Sequence, residues 1–478
     1  MYEPVIGMEV HVQLVTDSKM FCGCSADYAS APPNTHVCPV CLGLPGVLPV
    51  INRRAVEFSI MTGLALHCHV PEYTKWDRKN YPYPDLPKGY QISQYDLPLT
   101  LDGWLDIQGE HGTTRIGIRR AHLEEDTAKL MHAGAHSLID FNRSGVPLLE
   151  IVSEPDMHSA EEARLYLVKL RAILRYLGVS TGNMEEGALR CEANISLRPA
   201  GSFELSPTHV EVKNLNSFRA VKAALEYEVE RQSKVLEGGG RVEQVTMGWD
   251  DTRGVTVVQR SKEEAHDYRY FPEPDLAPLA VSRQWVAALR ERLPELPDER
   301  QARFQARHGL SAYDAKLLSD ERRVGDYFEA TVAAGGCIPA KSIANWITGP
   351  LFREMNAAEV AIEAVTVTPP QLAELVGLVE KGAINVASGR EVLSAMFATG
   401  RGAAEIAAER NLEQISDGEM LERLVRQALA ANQKAVEDYR GGKLQVIKFL
   451  VGQVMRATRG QANAQAVEEL LLRLLAET

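Results

Sequence analysis

No uninterrupted apolar run in this sequence reaches the ~20 residues that a bilayer-spanning helix needs, which excludes helical insertion in a membrane. The first residues, Met1-Tyr2-Glu3-Pro4-Val5-Ile6, carry an acid where a secretory leader carries basic residues and lack a small-residue cleavage pattern. No signal peptide is therefore expected, and the expected compartment is the cytoplasm. No Gly-x-x-x-x-Gly-Lys-Ser/Thr loop and no kinase or dinucleotide fingerprint occurs, so any ATP site has to be a sheet-lined cleft built from side chains. A nucleophile, base and acid in a hydrolase context are also missing. Positive charge is outweighed, with 52 Lys and Arg against 64 Asp and Glu and a net charge of −12. That excludes indiscriminate whole-surface attraction to nucleic acid but leaves room for a local basic stripe. Cysteine is scarce and odd in number, seven in all, which argues against a disulfide framework.

What is present reads as an ordinary globular chain of two or three domains: 478 residues, 45% hydrophobic and 24% charged. The first half alternates apolar and polar residues, the period-two signature of strands with one buried face. Between Val5 and Leu14, Ile6, Met8, Val10, Val12 and Leu14 point one way, leaving Gly7, Glu9, His11 and Gln13 on the other side. Thr114–Glu124 puts Arg120, His122 and Glu124 on one side, and Leu189–Pro199 sets Arg190, Glu192 and Asn194 opposite Cys191, Ala193 and Ile195. An antiparallel sheet whose second face lines a cleft gives this pattern. Helices are expected over Ser159–Leu177, with Ser159 as cap, Glu162 at the capping-box position and Gly178 as stop, and over Ser217–Leu236. The proline-rich stretch Leu293–Asp298 reads as a domain boundary, after which nearly everything reads helical. Thr368-Pro369-Pro370-Gln371 and Ser416-Asp417-Gly418-Glu419 look like helix starts, and Gly400-Arg401-Gly402 marks a second junction.

Four constellations could carry chemistry. Cys22-x-Cys24 and, thirteen residues later, Cys38-Pro39-Val40-Cys41 supply the four thiolates that structural zinc prefers; with every position filled by protein such an ion would staple a loop and activate no water. Glu9, His11, Glu124, Glu125 and Glu150 are acids and an imidazole of the kind that suits Mg²⁺ in phosphoryl transfer. Glu150, inside the apolar run Leu148–Val152, needs a partner, and either a metal or an arginine among Arg115, Arg119, Arg120 and Arg190 would serve. Lys79, Lys213 and Arg190 are candidate cofactor-binding cations for ATP phosphates, with ordinary salt bridging as the alternative. Finally, Gly442-Lys443-Leu444 opens a helix on which Lys448, Gly452, Arg456 and Arg459 form a basic stripe, either a nucleic-acid contact or a solvated face. His67-Cys68-His69 reads as incidental.

Long ordered motifs resemble a known family. Val5-Ile6-Gly7-Met8-Glu9-Val10-His11-Val12, Asp77-Arg78-Lys79-Asn80-Tyr81-Pro82-Tyr83-Pro84-Asp85, His122-Leu123-Glu124-Glu125-Asp126 and Glu150-Ile151-Val152-Ser153-Glu154-Pro155-Asp156 are similar to segments of the B-subunit family of aspartyl/glutamyl-tRNA amidotransferases. So are Lys213-Asn214-Leu215-Asn216-Ser217-Phe218, Asp267-Tyr268-Arg269-Tyr270-Phe271-Pro272-Glu273-Pro274-Asp275 and Phe449–Met455, and the likeness spans essentially the whole chain. The resemblance implies an α+β fold: a catalytic cradle over 1–292 with a largely antiparallel, glutamine-synthetase-like sheet and a zinc-binding insertion near 22–41, a helical domain over 293–406, and a tRNA-binding helical tail over 407–478. It implies ATP-dependent amidation of Glu or Asp esterified to tRNA, with His11, Glu124 and Glu150 as Mg²⁺ ligands and Glu9 beside them. It also implies Lys448, Arg456 and Arg459 on the tRNA, an amidase partner (the A-subunit) that releases ammonia from glutamine, and a small third partner (the C-subunit). A zinc-stapled tRNA scaffold without chemistry, and a ligase acting on free glutamate, stay open as competing readings.

Overall fold

A computed structural model describes residues 2–109, 112–261, 268–412, 418–458 and 462–477. The chain divides into two compact units, Met1–Leu296 and Pro297–Thr478, and its helices and strands form a mixed α+β architecture.

In the first unit the alternating segments become strands: β1 (Tyr2–Gln13), β2 (Asp77–Asn80), β3 (Tyr90–Ser93), β4 (Thr100–Gly109), β5 (Gly112–Glu125), β6 (Pro147–Ser153), β7 (Leu189–Pro199), β8 (Val210–Leu215), β9 (Val245–Asp250), β10 (Val255–Ser261) and β11 (Phe271–Pro272). Eight of them form one sheet in the order β10-β9-β8-β7-β1-β6-β5-β4. Every pair is antiparallel except β8 with β9, which run parallel. A second sheet, β11-β2-β3, joins the Asp77–Asn80 motif to Phe271-Pro272.

Three helices, α1 (Arg53–Ala65), α2 (Ala160–Leu177) and α3 (Phe218–Glu237), pack on one face of the large sheet. The apolar side of β1 explains why: Ile6, Met8, Val10 and Val12 are fully buried in a core shared with Leu167, Leu170 and Leu174 of α2 and Val221 and Leu225 of α3. Each such side chain contributes about 1.5–3 kcal/mol on leaving water. Helices on one face leave the other, which carries Glu9 and His11, open as a cleft. Ser159 caps α2 by accepting the Glu162 N–H, and Gly178 ends the helix at φ 68°. The capping box expected there differs by one residue, because the Glu162 carboxylate accepts the N–H of His158 at 2.6 Å instead of that of Ser159.

The second unit is helical throughout its described residues, with one apolar cluster drawn from Phe304 to Ala407 and another from Leu421 to Leu475. Thr368 and Gln371 form a reciprocal capping box at the start of Pro369–Glu380. Ser416 and Asp417, the expected cap of the next helix, lie outside the described residues, and that helix runs Gly418–Ala431. The helix expected to open at Gly442 starts at Val446 and runs to Ala457, since residues 441–445 form turns. No helix among the described residues is long and apolar enough to cross a membrane.

Candidate functional site

Strand register builds the site. His11 of β1 stands opposite Arg190 of β7 on one side and Glu150 of β6 on the other, and Glu150 stands opposite His122 of β5. Directly opposed residues share a face, so four strands present Arg190, His11, Glu150 and His122 in one row. Glu9 and Glu192 pair in the next row towards one end of β1, while Glu124 lies two residues beyond His122 on the same face.

At the floor, Glu150 Oε2 lies 3.4 Å from His11 Nε2 and 3.6 Å from His122 Nε2. Glu124 lies 3.4 Å from His122 Nε2 and accepts hydrogen bonds from the Ser93 hydroxyl at 2.7 Å and the Gln91 amide at 3.0 Å. One ligand atom each from His11, Glu124 and Glu150 falls within 4.8 Å of the others. Glu124 is 2% and Glu150 7% exposed, so neither could stay charged without a cationic neighbour. Among the described residues no arginine is in ion-pair range of either; the neighbours are histidines and Lys79. Burial raises Glu150 towards the neutral acid, but His122 and His11 outweigh it and hold the carboxyl well below its usual range. Glu124 is likewise lowered, against its burial, by Lys79. Glu9 goes the other way, raised by burial and by the facing charges of Glu150 and Glu192. The cleft thus carries more negative charge than its own cations relieve, and the Nδ1 of buried His122 has no partner. Hard oxygen donors, an imidazole and surplus negative charge fit a divalent cation.

This cleft, about 400 Å³, is lined by six acids (Glu9, Glu124, Asp126, Glu150, Glu192, Glu211) and four cations (Lys79, Arg120, Arg190, Lys213). The three cations singled out from sequence differ in kind. Arg190 donates to Asp126 at 2.9 Å and Lys213 to Glu192 at 2.7 Å, so both already neutralise an acid. The Lys79 side chain makes no hydrogen bond or ion pair among the described residues; its ammonium stands 5.2 Å above the Tyr268 ring. Burial disfavours that charge, yet Glu124 and Glu150 overcome it and raise Lys79 above its ordinary range. Sequence reasoning missed Gln91, Ser93, Tyr268 and Tyr270, and gave His122 no role although the alternation of β5 put it beside Glu124.

The Sγ atoms of Cys22, Cys24, Cys38 and Cys41 also lie within 4.8 Å of one another. Cys41 is held down to about 4, chiefly by a hydrogen bond from the Cys22 thiol, with the Lys19 ammonium helping. Lys19 is 1% exposed and donates to Cys41 Sγ at 3.7 Å and to the Phe141 carbonyl at 3.2 Å. The Cys38 N–H points at Cys41 Sγ at 3.1 Å. A buried ammonium and an amide aimed at one sulfur favour a thiolate there, the species zinc binds. In the second unit, Lys448, Gly452 and Arg456 share the exposed side of Val446–Ala457 while Ile447, Leu450 and Val454 are buried. Arg459 lies outside the described residues. His67-Cys68-His69 gathers no metal site: the His67 ring stacks on Trp104 at 4.5 Å, and Cys68 is buried.

The family model of the GatB/GatE catalytic domain matches residues 4–287, and that of the GatB domain matches residues 326–475. The B subunit of aspartyl/glutamyl-tRNA(Asn/Gln) amidotransferase from Thermomicrobium roseum is 57% identical over 474 residues, covering 98% of each chain. The proteins of the same name from Roseiflexus castenholzii and Dehalococcoides mccartyi are each 55% identical, covering 99% of each chain in the first case and 100% of this chain and 99% of the relative in the second. With its whole length matched in this way, the chain belongs to the family of amidotransferase B subunits.

Proposed function

We propose that this chain activates the side-chain carboxylate of Glu or Asp esterified to tRNA, using ATP, so that ammonia can convert it to the amide. The observation that carries the reading is the meeting of His11, Glu124 and Glu150 on the open sheet face beside an unpaired Lys79. In this reading a carboxylate oxygen of the aminoacyl group attacks the γ-phosphorus of ATP and ADP leaves. Ammonia then adds to the acyl carbon and inorganic phosphate departs, giving Gln-tRNA or Asn-tRNA. Mg²⁺ held by His11, Glu124 and Glu150, with Glu9 beside them, would neutralise phosphate charge and orient it.

The protein's own groups account for the rest. Lys79, free of any competing carboxylate contact, supplies a cation for a phosphoryl oxygen. Arg190 and Lys213, already balanced by Asp126 and Glu192, keep the cleft wall charged and in position, and their remaining N–H groups can donate to a nucleotide phosphate. Ser93 and Gln91 fix the rotamer of Glu124. Cys22, Cys24, Cys38 and Cys41 would hold a structural Zn²⁺. The exposed Lys448 and Arg456, with Arg459, would lie on the tRNA backbone. Residues 1–292 would be the catalytic cradle, 293–406 a helical domain and 407–478 the tail, working in the cytoplasm with the amidase partner and the small third partner.

The test is reconstitution with those two partners on misacylated Glu-tRNA and Asp-tRNA. ADP formation that requires both the misacylated tRNA and Mg²⁺ supports the reading. ATP turnover on free glutamate without tRNA, or amidation unaffected by Glu124→Gln and Glu150→Gln, contradicts it.

A further inference from the structure

The rim of the cleft carries an aromatic assembly that phosphate chemistry does not require. Tyr95 and Tyr270 are stacked, with ring centroids 4.2 Å apart and planes 11° from parallel. Tyr268 meets Tyr270 edge-on at 6.1 Å, on the side towards Lys79. Aromatic pairs ordinarily lie in a core, where both rings leave water. Here the outer ring, Tyr95, stays 52% exposed.

Both tyrosines are fixed from behind. The Tyr95 N–H donates to buried Asp77 at 3.0 Å, and the Tyr95 carbonyl accepts from Arg120 Nη1 at 3.3 Å. Tyr270 immediately precedes β11, and Asn80 holds the carbonyls of Tyr268 and Arg269 at 2.9 and 2.8 Å. The stack is therefore built by both ends of the small β11-β2-β3 sheet and loses little freedom when something settles on it. Arg120 connects rim to floor: it lines the cleft, and its buried Nε has no hydrogen-bond partner. A half-exposed aromatic residue next to a guanidinium whose Nε lacks a partner, above a phosphate-handling floor, matches a base followed by its phosphate.

We propose that Tyr95 and Tyr270 form a platform on which a purine base stacks, with Arg120 taking an adjacent phosphate oxygen. This rests on the reading of the cleft as a phosphoryl-transfer site and names a subsite of it. Two sources present the same chemistry, the adenine of ATP and the 3′-terminal adenine of the tRNA.

The experiment measures equilibrium binding to the assembled holoenzyme with Mg²⁺ present, using ATP, intact tRNA, and tRNA lacking its terminal adenosine. Tyr95→Ala and Tyr95→Leu are compared with Tyr95→Phe, which keeps the ring. If ATP is the source, the Ala and Leu variants bind ATP about ten- to hundredfold more weakly while Phe matches the wild type. If the RNA end is the source, those variants bind intact tRNA no better than the shortened one. The platform is overturned if neither affinity moves, or if Phe loses as much as Ala. Should Tyr95→Ala fail to fold, the Leu variant, which retains apolar cover without a π face, decides. Because the readout is binding, a holoenzyme that binds normally but does not amidate would sink the proposed function and leave the platform tested in its own right.

Discussion

Glu150 shows what a buried carboxylate demands of its neighbours. It is a carboxylate in a strand whose neighbours Leu148, Leu149 and Ile151 are buried, and its contacts are two imidazoles that each face other acids as well. Glu124→Gln and Glu150→Gln keep the shape and hydrogen-bonding reach of the side chain but remove the charge. We expect each to lower amidation by at least about a hundredfold, with the melting temperature shifting by no more than a few degrees in the same preparations. Lys79→Met should lower kcat/KM for ATP by about a hundredfold, the range found when one donor to a developing phosphate or oxyanion charge is lost. An unchanged ATP profile would assign Lys79 to structure alone. Alternation made Glu9 and His11 legible as occupants of one face of β1, and Arg120, His122 and Glu124 as occupants of one face of β5, since the period of a strand is local. Gln91 and Ser93 were not legible: β3 is four residues long, and nothing in Tyr-Gln-Ile-Ser tells which side will meet Glu124.

At the scale of elements, the same limit appears as register. The sequence marks β1, β5, β7 and α2 by their periods, but the row Arg190–His11–Glu150–His122 depends on strand pairings, two of them between residues more than a hundred apart, which no local pattern encodes. Likewise Arg78 and Glu273, 195 residues apart, form a bidentate pair at 2.6 and 2.8 Å that locks two motifs into one small sheet. Helix α3 offers a test of element docking. Glu228, wholly buried, accepts from Arg231 at 2.9 Å and 2.8 Å, from Gln232 at 3.0 Å and from the Thr256 hydroxyl of β10 at 2.6 Å. Burial opposes its charge, but these donors win and lower its carboxyl below the ordinary range. A depressed folded value means the contribution is present above the unfolded value of about 4.3 and is lost as pH falls through the folded one. Glu228→Gln should destabilise the fold by about 2–4 kcal/mol at neutral pH, and its unfolding free energy should fall less steeply than that of the wild type below about pH 4. The cysteine loop is the second case. Elemental analysis should find one zinc per chain, and Cys41→Ser should release it and lower the melting temperature by about 5 °C or more; zinc retained at full stoichiometry in that variant would contradict the assignment.

For the whole molecule, charge is the organising quantity. A chain with a net charge of −12 can attract RNA only through local stripes of positive charge. Lys448→Glu and Arg456→Glu should weaken tRNA binding for all sequences alike and reduce the slope of log affinity against log salt by about one per lost contact; an unaltered slope would make that face an ordinary solvated surface. The surplus of acids in the cleft is the other half of the pattern, and in the proposed reading a bound cation would offset it. The most direct measurement follows the γ-phosphoryl group itself. The holoenzyme is given ATP labelled at the γ-phosphate, Mg²⁺ and Glu-tRNA, with glutamine and ammonia withheld, and hydroxylamine is added to trap an activated acyl group. The expected result is label on the aminoacyl-tRNA that disappears as the hydroxamate of the glutamyl side-chain (γ) carboxyl forms, distinct from the α-hydroxamate that hydroxylamine gives with the ester itself, and no label with Glu150→Gln. Label released only as free phosphate, at a rate indifferent to Glu-tRNA, would contradict the claim that this cleft phosphorylates an amino acid on its carrier RNA.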